Sequence, residues 1–317
     1  MSKAFVFPGQ GSQAVGMGRA LAETFPEARL VLAEVDDALG QKLSLLMFEG
    51  PQEALTLTSN AQPALLAASL AVIRVLEAEA GLDLARDASF VAGHSLGEYS
   101  ALAAAGSLSI GEAAKLLRVR GLAMQEAVPV GAGAMAALLG LEYDAALAIA
   151  KQAAGEEGGG AVCEVANDNG GGQIVVSGTS AAVYRAIEIA KRQGARRSVL
   201  LPVSAPFHCA LMQPAGEAMA AALGPAIIKP PCVPLVSNVL AAPVSEPDEI
   251  RKLLVAQVTG MVRWRESVAF MAGKGITLFV ECGAGKVLSG LVKRIASMAQ
   301  GVSIGIPADI DMYRSLA

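Results

Sequence analysis

The pentapeptide Gly93-His94-Ser95-Leu96-Gly97 matches G-x-S-x-G. It follows a short apolar run and precedes a helical stretch, the setting in which this pattern turns a strand sharply into a helix and exposes a nucleophilic serine. The flanking glycines permit the turn. The helix start brings backbone N–H groups and a positive dipole end beside the serine oxygen. A serine attacks a carbonyl only when a base takes its proton. The chain has two histidines, His94 and His208. His94 lies inside the turn itself. His208, in Ala205-Pro206-Phe207-His208-Cys209, follows the serine in chain order, as the base does in hydrolases of this layout, and is the candidate base. No acidic residue stands in an obvious third position, so a dyad oriented by a backbone carbonyl or an amide is as plausible as a triad. The plainer alternatives are a chance match in a glycine-rich chain and a satisfied core histidine.

Arg120 is the most informative charge. At 100° per residue, Ala113, Leu116, Leu117, Arg120 and Met124 share one face of a helical stretch over 110–125, with Glu112, Lys115 and Arg118 elsewhere. An arginine in the middle of an apolar stripe needs a partner, snorkels to water, or offers a pocket cation to an anionic substrate. Gly9-Gln10-Gly11-Ser12-Gln13-Ala14 fits G-x-G-x-x-G/A. As a dinucleotide loop it is weak, because Glu34 and Asp36 fall in a helical stretch rather than at a strand end. A glycine loop after a strand can equally supply amide donors to an oxyanion. The segment 283–286, GAGK, lacks the first glycine and the Ser/Thr of a phosphate-binding loop. Lys191, Arg192, Arg196 and Arg197 put four positive charges into seven residues, a solvated face by default and a site for an acidic partner otherwise.

The elements that must position these residues alternate. Apolar runs at 4–7, 89–92 and 276–280 read as strands, and 63–80 and 110–125 as helices, which predicts an α/β fold with a mainly parallel sheet. The middle differs: strand 134–141, helix 143–154, strands 161–166 and 173–177, helix 180–193, strand 197–203. That is β-α-β-β-α-β, the order of a ferredoxin-like unit. The expected organisation is a small subdomain over 128–203 inserted into a larger domain made of 1–127 and 204–317.

Composition narrows the class. Of 317 residues, 53% are hydrophobic and 17% charged, which excludes a disordered chain. The longest uncharged run, 54–73, holds Thr56, Thr58, Ser59, Asn60, Gln62 and Pro63 and is a poor membrane span. The first ten residues hold too short an apolar stretch for a signal peptide, so a cytoplasmic protein is expected. A net charge of −4 does not suggest nucleic acid as a partner. Four cysteines without a CxxC pair suggest neither a zinc site nor a disulfide framework.

Together these segments resemble the malonyl-CoA:acyl carrier protein transacylase family over nearly the whole chain. The resemblance rests on FVFPGQGSQ (5–13), Gln62-Pro63, GHSLGEYSALAAAG (93–106), RGLAMQEAVP (120–129), VANDN (165–169), VSAPFHCALM (203–212) and VRW (262–264). It implies a hydrolase-like α/β domain with an inserted ferredoxin-like subdomain, and malonyl transfer from malonyl-CoA to the phosphopantetheine thiol of a carrier protein through a malonyl-serine. Carried over, Ser95 is the nucleophile and His208 the base. Gln10 and the Leu96 N–H form the oxyanion hole, and Arg120 clamps the malonyl carboxylate. The Gln257 backbone carbonyl orients the histidine. Gln62 and Asn167 line the pocket, and Phe207 goes with malonyl rather than a branched acyl group. No metal or permanent cofactor is implied. The partner is an acidic acyl carrier protein, for which 191–197 is the candidate contact. One departure stands out: the family's usual proline before VRW is missing from Thr259-Gly260-Met261. Rival readings are a serine esterase or thioesterase, an acyltransferase serving a polyketide synthase, a non-catalytic carrier-binding module and, more distantly, a dinucleotide enzyme.

Overall fold

The computed structural model describes residues 2–203 and 205–316; Ser204 and Ala317, which bound one of the expected domain segments, and Met1 lie outside the described residues. The strands are β1 (Lys3–Phe7), β2 (Phe90–Gly93), β3 (Gly133–Leu139), β4 (Cys163–Asp168), β5 (Gln173–Thr179), β6 (Arg197–Leu200), β7 (Leu235–Val236), β8 (Pro243–Val244), β9 (Leu278–Cys282) and β10 (Gln300–Ile304). They form two sheets. One runs β10-β9-β1-β2-β7-β8, parallel except for the β7–β8 pair. The other runs β4-β5-β3-β6 and is antiparallel throughout. The protein is therefore a mixed α/β fold with a parallel core sheet and a second, antiparallel sheet.

Side-chain alternation explains why β1 is apolar at nearly every position. Phe5 and Phe7 point into one layer with Val91, Leu278 and Val280, while Ala4 and Val6 point into the opposite layer with Ala92, Phe279 and Trp264. A strand buried on both faces loses the polar half of the period-two pattern. In β3 the same alternation sorts Ala134, Ala136 and Leu138 towards the helices Tyr143–Glu157 and Ser180–Arg192. Met135 and Ala137 turn the other way and join the main core. The element order over these strands and helices is β-α-β-β-α-β, as the residue pattern predicts.

Two chain crossings join the sheets, one before β3 and one after β6. They lie side by side, since a Cβ on Gly133 would fall 2.4 Å from the Pro206 ring. A separate seam lies at β4. Its register against β5 slips between Val165 and Asn167. There the Asp168 N–H donates to the Val262 carbonyl (3.0 Å) and the Val262 N–H to the Ala166 carbonyl (2.8 Å).

Several boundaries differ from the expected ones. The helix expected from Pro63 begins at Thr58, so Pro63 sits inside it. Its start is held from outside: the Ser59 N–H donates to Gln125 Oε1 (2.8 Å). This helix, Thr58–Ala80, is long and apolar enough to cross a membrane by length and composition alone, but 83% of its apolar stretch is buried inside the protein, as in a core helix, in line with the poor-span expectation for 54–73. The strand expected to reach Val203 ends at Leu200, and β7, β8 and β10 were not expected at all. The loop 9–14 opens no helix, the next one starting at Arg19, so it lacks the context of a dinucleotide fingerprint.

Candidate active site

Ser95 stands between β2 and the helix Gly97–Ala104, at φ 54°. Such a left-handed serine is held only where its surroundings fix it. The surroundings are tight. A Cβ on Gly93 would fall 1.8 Å from the Gly97 backbone, and one on Gly97 would fall 2.3 Å from the Phe7 carbonyl oxygen. Both glycines of the motif are thus required by contact. The Ser95 N–H donates to Asn238 Oδ1 (2.8 Å), and Asn238 Nδ2 donates to the Gly93 carbonyl (2.7 Å), which pins the turn.

Ser95 Oγ lies 2.8 Å from His208 Nε2. On its other side the His208 ring meets two carbonyls at Nδ1, Gln257 O at 2.9 Å and Gly260 O at 3.1 Å. Two acceptors there require the proton on Nδ1, which leaves Nε2 to accept from the serine hydroxyl. The Gln257 carbonyl belongs to the last turn of the helix Pro247–Thr259, where carbonyls lack helical partners and the dipole end is negative. A helix end thus faces the histidine where a carboxylate does in a triad. The loop without the family's proline is tightly packed at Gly260, where a Cβ would fall 2.8 Å from both Ala256 O and Val239 Cγ1. Burial, aided by the Arg120 charge, lowers the His208 imidazole to about 3, so it is neutral. His94 is neutral too, lowered by burial, but is engaged elsewhere: Nε2 lies 2.9 Å from Asn169 Oδ1 and the ring packs on Trp264.

Arg120 is 1% exposed, in the helix Ile110–Glu126. That helix approaches Thr58–Ala80 closely at Gly121, where a Cβ would fall 2.6 Å from Ser59 Cα. The approach brings the guanidinium to Gln62 Oε1 (2.9 Å), Gln257 Oε1 (2.9 Å) and Ser95 Oγ (3.1 Å). Its Nε has no hydrogen-bond partner among the described residues. No carboxylate forms an ion pair with it among the described residues, the buried cation resting on neutral acceptors.

A cavity of about 490 Å³ opens over these groups, lined by Gln10, Gln62, Leu96, Arg120, Asn167 and Phe207 among others, with Ser95 and His208 in its wall. Gln10 Nε2 donates to Thr58 Oγ1 (3.2 Å). Leu96 stands at the N-terminal end of the helix Gly97–Ala104. The residues singled out from sequence around Ser95 therefore gather at one cavity, except Gln257, which is fully buried behind it against His208 and Arg120. The basic cluster lies elsewhere. Lys191, Arg192, Arg196 and Arg197 are exposed on and beside the edge strand β6 and make no ion pair among the described residues. No group of three or more His, Cys, Asp or Glu side chains suited to a metal occurs among the described residues.

Two site residues escape a reading of the sequence, Glu98 and Asn238. Both are buried, and each joins segments about 140 residues apart. The one available signal is that Glu98 follows Ser95 by three positions, one helical turn. The chemistry open to this arrangement is attack of a serine oxygen on a carbonyl, with a neutral imidazole as base and a buried cation beside the reacting atom.

The acyl transferase domain family matches residues 4–304. The malonyl CoA-acyl carrier protein transacylase of Bacillus subtilis (strain 168) is 46% identical over 313 residues, 98% of this chain and 96% of that protein. The crystal structure of acyl-carrier-protein-S-malonyltransferase from Bartonella henselae superposes with a TM-score of 0.96 at 54% identity, covering 100% of this chain and 99% of that one. A malonyl-transacylase in complex with a holo type II PKS acyl-carrier protein superposes with a TM-score of 0.95 at 40% identity, with 100% of each chain covered. On its fold, its cavity and these likenesses, the chain belongs to the acyl transferase domain family.

Proposed function

We propose that the protein transfers the malonyl group from malonyl-CoA to the phosphopantetheine thiol of an acyl carrier protein, through a malonyl ester on Ser95. The observation that carries this reading is Arg120: a buried guanidinium 3.1 Å from the nucleophile's oxygen suits an acyl group with a free carboxylate. His208 Nε2 takes the Ser95 proton as Oγ attacks the thioester carbonyl. The oxyanion is received by the Leu96 N–H and Gln10, and the C–S bond breaks. The leaving CoA sulfur takes the proton from His208. In the second half the carrier's thiol gives its proton to His208 and attacks the seryl ester, and Ser95 recovers the proton. The carbonyls of Gln257 and Gly260 stabilise the imidazolium formed in each half. Gln62 and Asn167 shape the acyl site, and Phe207 bounds it beside the α-carbon.

The scheme needs no resident cofactor or metal. A CoA thioester as donor goes with a cytoplasmic protein. We read residues 128–203 as an inserted subdomain that supplies one wall of the cavity, through Met135 and Asn167, and an exposed basic face for an acidic carrier. Intact mass tests the reading. Malonyl-CoA should add one malonyl mass to the protein, holo carrier should remove it and gain it, and Ser95→Ala should take up none. A labelled Ser95→Ala protein, or loss of the label to water rather than carrier, would sink it.

A further inference from the structure

Glu98 is 1% exposed, in the first turn of the helix Gly97–Ala104, and the transfer scheme gives it no task. Its two oxygens accept from two donors, the Asn238 backbone N–H and the Gln257 side-chain Nε2. The Gln257 amide is thereby fixed end for end. Its Nε2 faces Glu98 and the Ser95 carbonyl (2.9 Å), and its Oε1 faces Arg120 (2.9 Å). Turned over, the amide would point an N–H₂ at a guanidinium, donor against donor. Gln257 thus meets the nucleophile's backbone, the histidine and the arginine at once, and Glu98 holds the end of it that is free to turn.

We propose that Glu98 is a positioning residue for acyl-group selection: by accepting from Gln257 Nε2 it keeps the amide oxygen on Arg120 and so aims the guanidinium at the carboxylate of the bound acyl group. The proposal rests on the acyl-transfer reading above. Burial raises the Glu98 carboxyl to about 8, against the pull of its two donors and of Arg120. Both oxygens face N–H donors, an arrangement that only the ionised carboxylate satisfies in full, so the lock is tested above pH 8.

Glu98→Gln tests it, because the variant keeps the size and changes the polarity. The introduced N–H₂ must face either the Asn238 N–H, which is backbone and cannot turn, or the Gln257 N–H₂, which can. The measurement is the ratio of kcat/KM for malonyl-CoA over acetyl-CoA in forming the acyl-enzyme. A reduced folded fraction cancels from that ratio. Glu98→Gln should lower it by roughly tenfold to a hundredfold, the worth of a hydrogen bond to a charged group. Glu98→Ala adds no competing donor and should lower it less. A space-filling role predicts the reverse order. Gln257→Leu, which keeps the backbone carbonyl on His208, should also lower the ratio, and carries the test alone if Glu98→Gln gives no folded protein. An unchanged ratio in Glu98→Gln or in Gln257→Leu, or the reverse order of the two Glu98 variants, overturns the proposal. A wild-type protein that forms no malonyl-enzyme instead brings down the acyl-transfer reading.

Discussion

The two sheets bury their interiors differently. Between the four-stranded sheet and its helices the core is Ala136, Leu138, Ile149, Val176 and Ile189, apolar against apolar. The six-stranded sheet is covered by apolar side chains on both faces, yet around the end of β2 the fold also buries Glu98, Arg120, His208, Asn238 and Gln257. Polar groups so placed cost free energy unless they satisfy one another, and removing one leaves its partner exposed to that cost. The left-handed serine and histidine, Ser95 and His208, belong to the second region as well. Strain and most of the buried charge are thus gathered where a sheet covered on both faces can hold them; in the smaller sheet the buried charge among the described residues is Asp168, paired with Arg265 at the seam. Substitutions around the end of β2 should act on chemistry, and those at the exposed β6 edge of the smaller sheet on encounter.

The sharpest way to break that contrast is His208→Ala, which should slow formation of the acyl-enzyme by roughly 10²–10⁴, the usual contribution of a positioned base. An unimpaired variant would move the base to His94. The pH dependence follows from the same group. With His208 lowered to about 3 from an ordinary 6.5, the base stays free well into acid, so the acylation rate should show no fall through pH 6.5. Stability should behave otherwise. Below 6.5 the unfolded chain binds a proton that the folded chain refuses, so this contribution is lost as the pH drops from 6.5 towards 3. Glu98, raised to about 8, acts in the opposite sense, so the readout is the denaturant midpoint of the wild type relative to His208→Ala across that range; a difference that grows in favour of the wild type on acidification contradicts the buried neutral ring.

Next in size is Arg120→Ala. Truncating one partner of a buried charged pair costs about 2–5 kcal/mol, so malonyl transfer should fall by roughly 30-fold to several thousand-fold. Acetyl transfer should fall far less, and Arg120→Lys should recover only part of the malonyl rate, since an ammonium cannot present a planar fork. Equal losses for both acyl groups would make Arg120 structural. The smallest effect belongs to the other sheet. Reversing the charge of Arg196 and Arg197 should raise the KM for carrier protein by a few-fold, roughly the worth of rim charges, with acylation by malonyl-CoA unchanged. If the carrier KM stays put across a salt titration, the cluster is only a solvated surface.

How legible the site was depended on whether each residue's reason was local. Ser95 could be read because the two glycines that its turn demands are neighbours in sequence. Arg120 could be read because a charge on an apolar stripe is anomalous within one helix. Asn238 and Glu98 could not, since their partners lie about 140 residues away and a glutamate on a short helix reads as solvated. The same distinction holds for the fold. β1, β2 and β9 are continuous apolar runs and were visible. β7 and β8, two residues each, exist only through pairing with strands already in place. β6 stops at Leu200 rather than Val203 because Pro202 has no N–H to give, and the chain there leaves the sheet to line the cavity. Helix Thr58–Ala80 starts early because Gln125 supplies the acceptor its first turn lacks, from a helix whose contact no local pattern announces.

The seam where Asp168 and Ala166 meet Val262 has a mechanical consequence. Two adjacent crossings, at Gly133 and Pro206, would by themselves make a hinge, about which the smaller sheet could swing like a door. Thr179 pairs with Gly133 and Val175 with Asn167, so the seam sits two strands across and four residues along from that hinge line. A door fastened at a third point becomes a bracket. The gap between the sheets then has a set width, and an acyl group is measured against standing walls rather than gripped by a closing jaw.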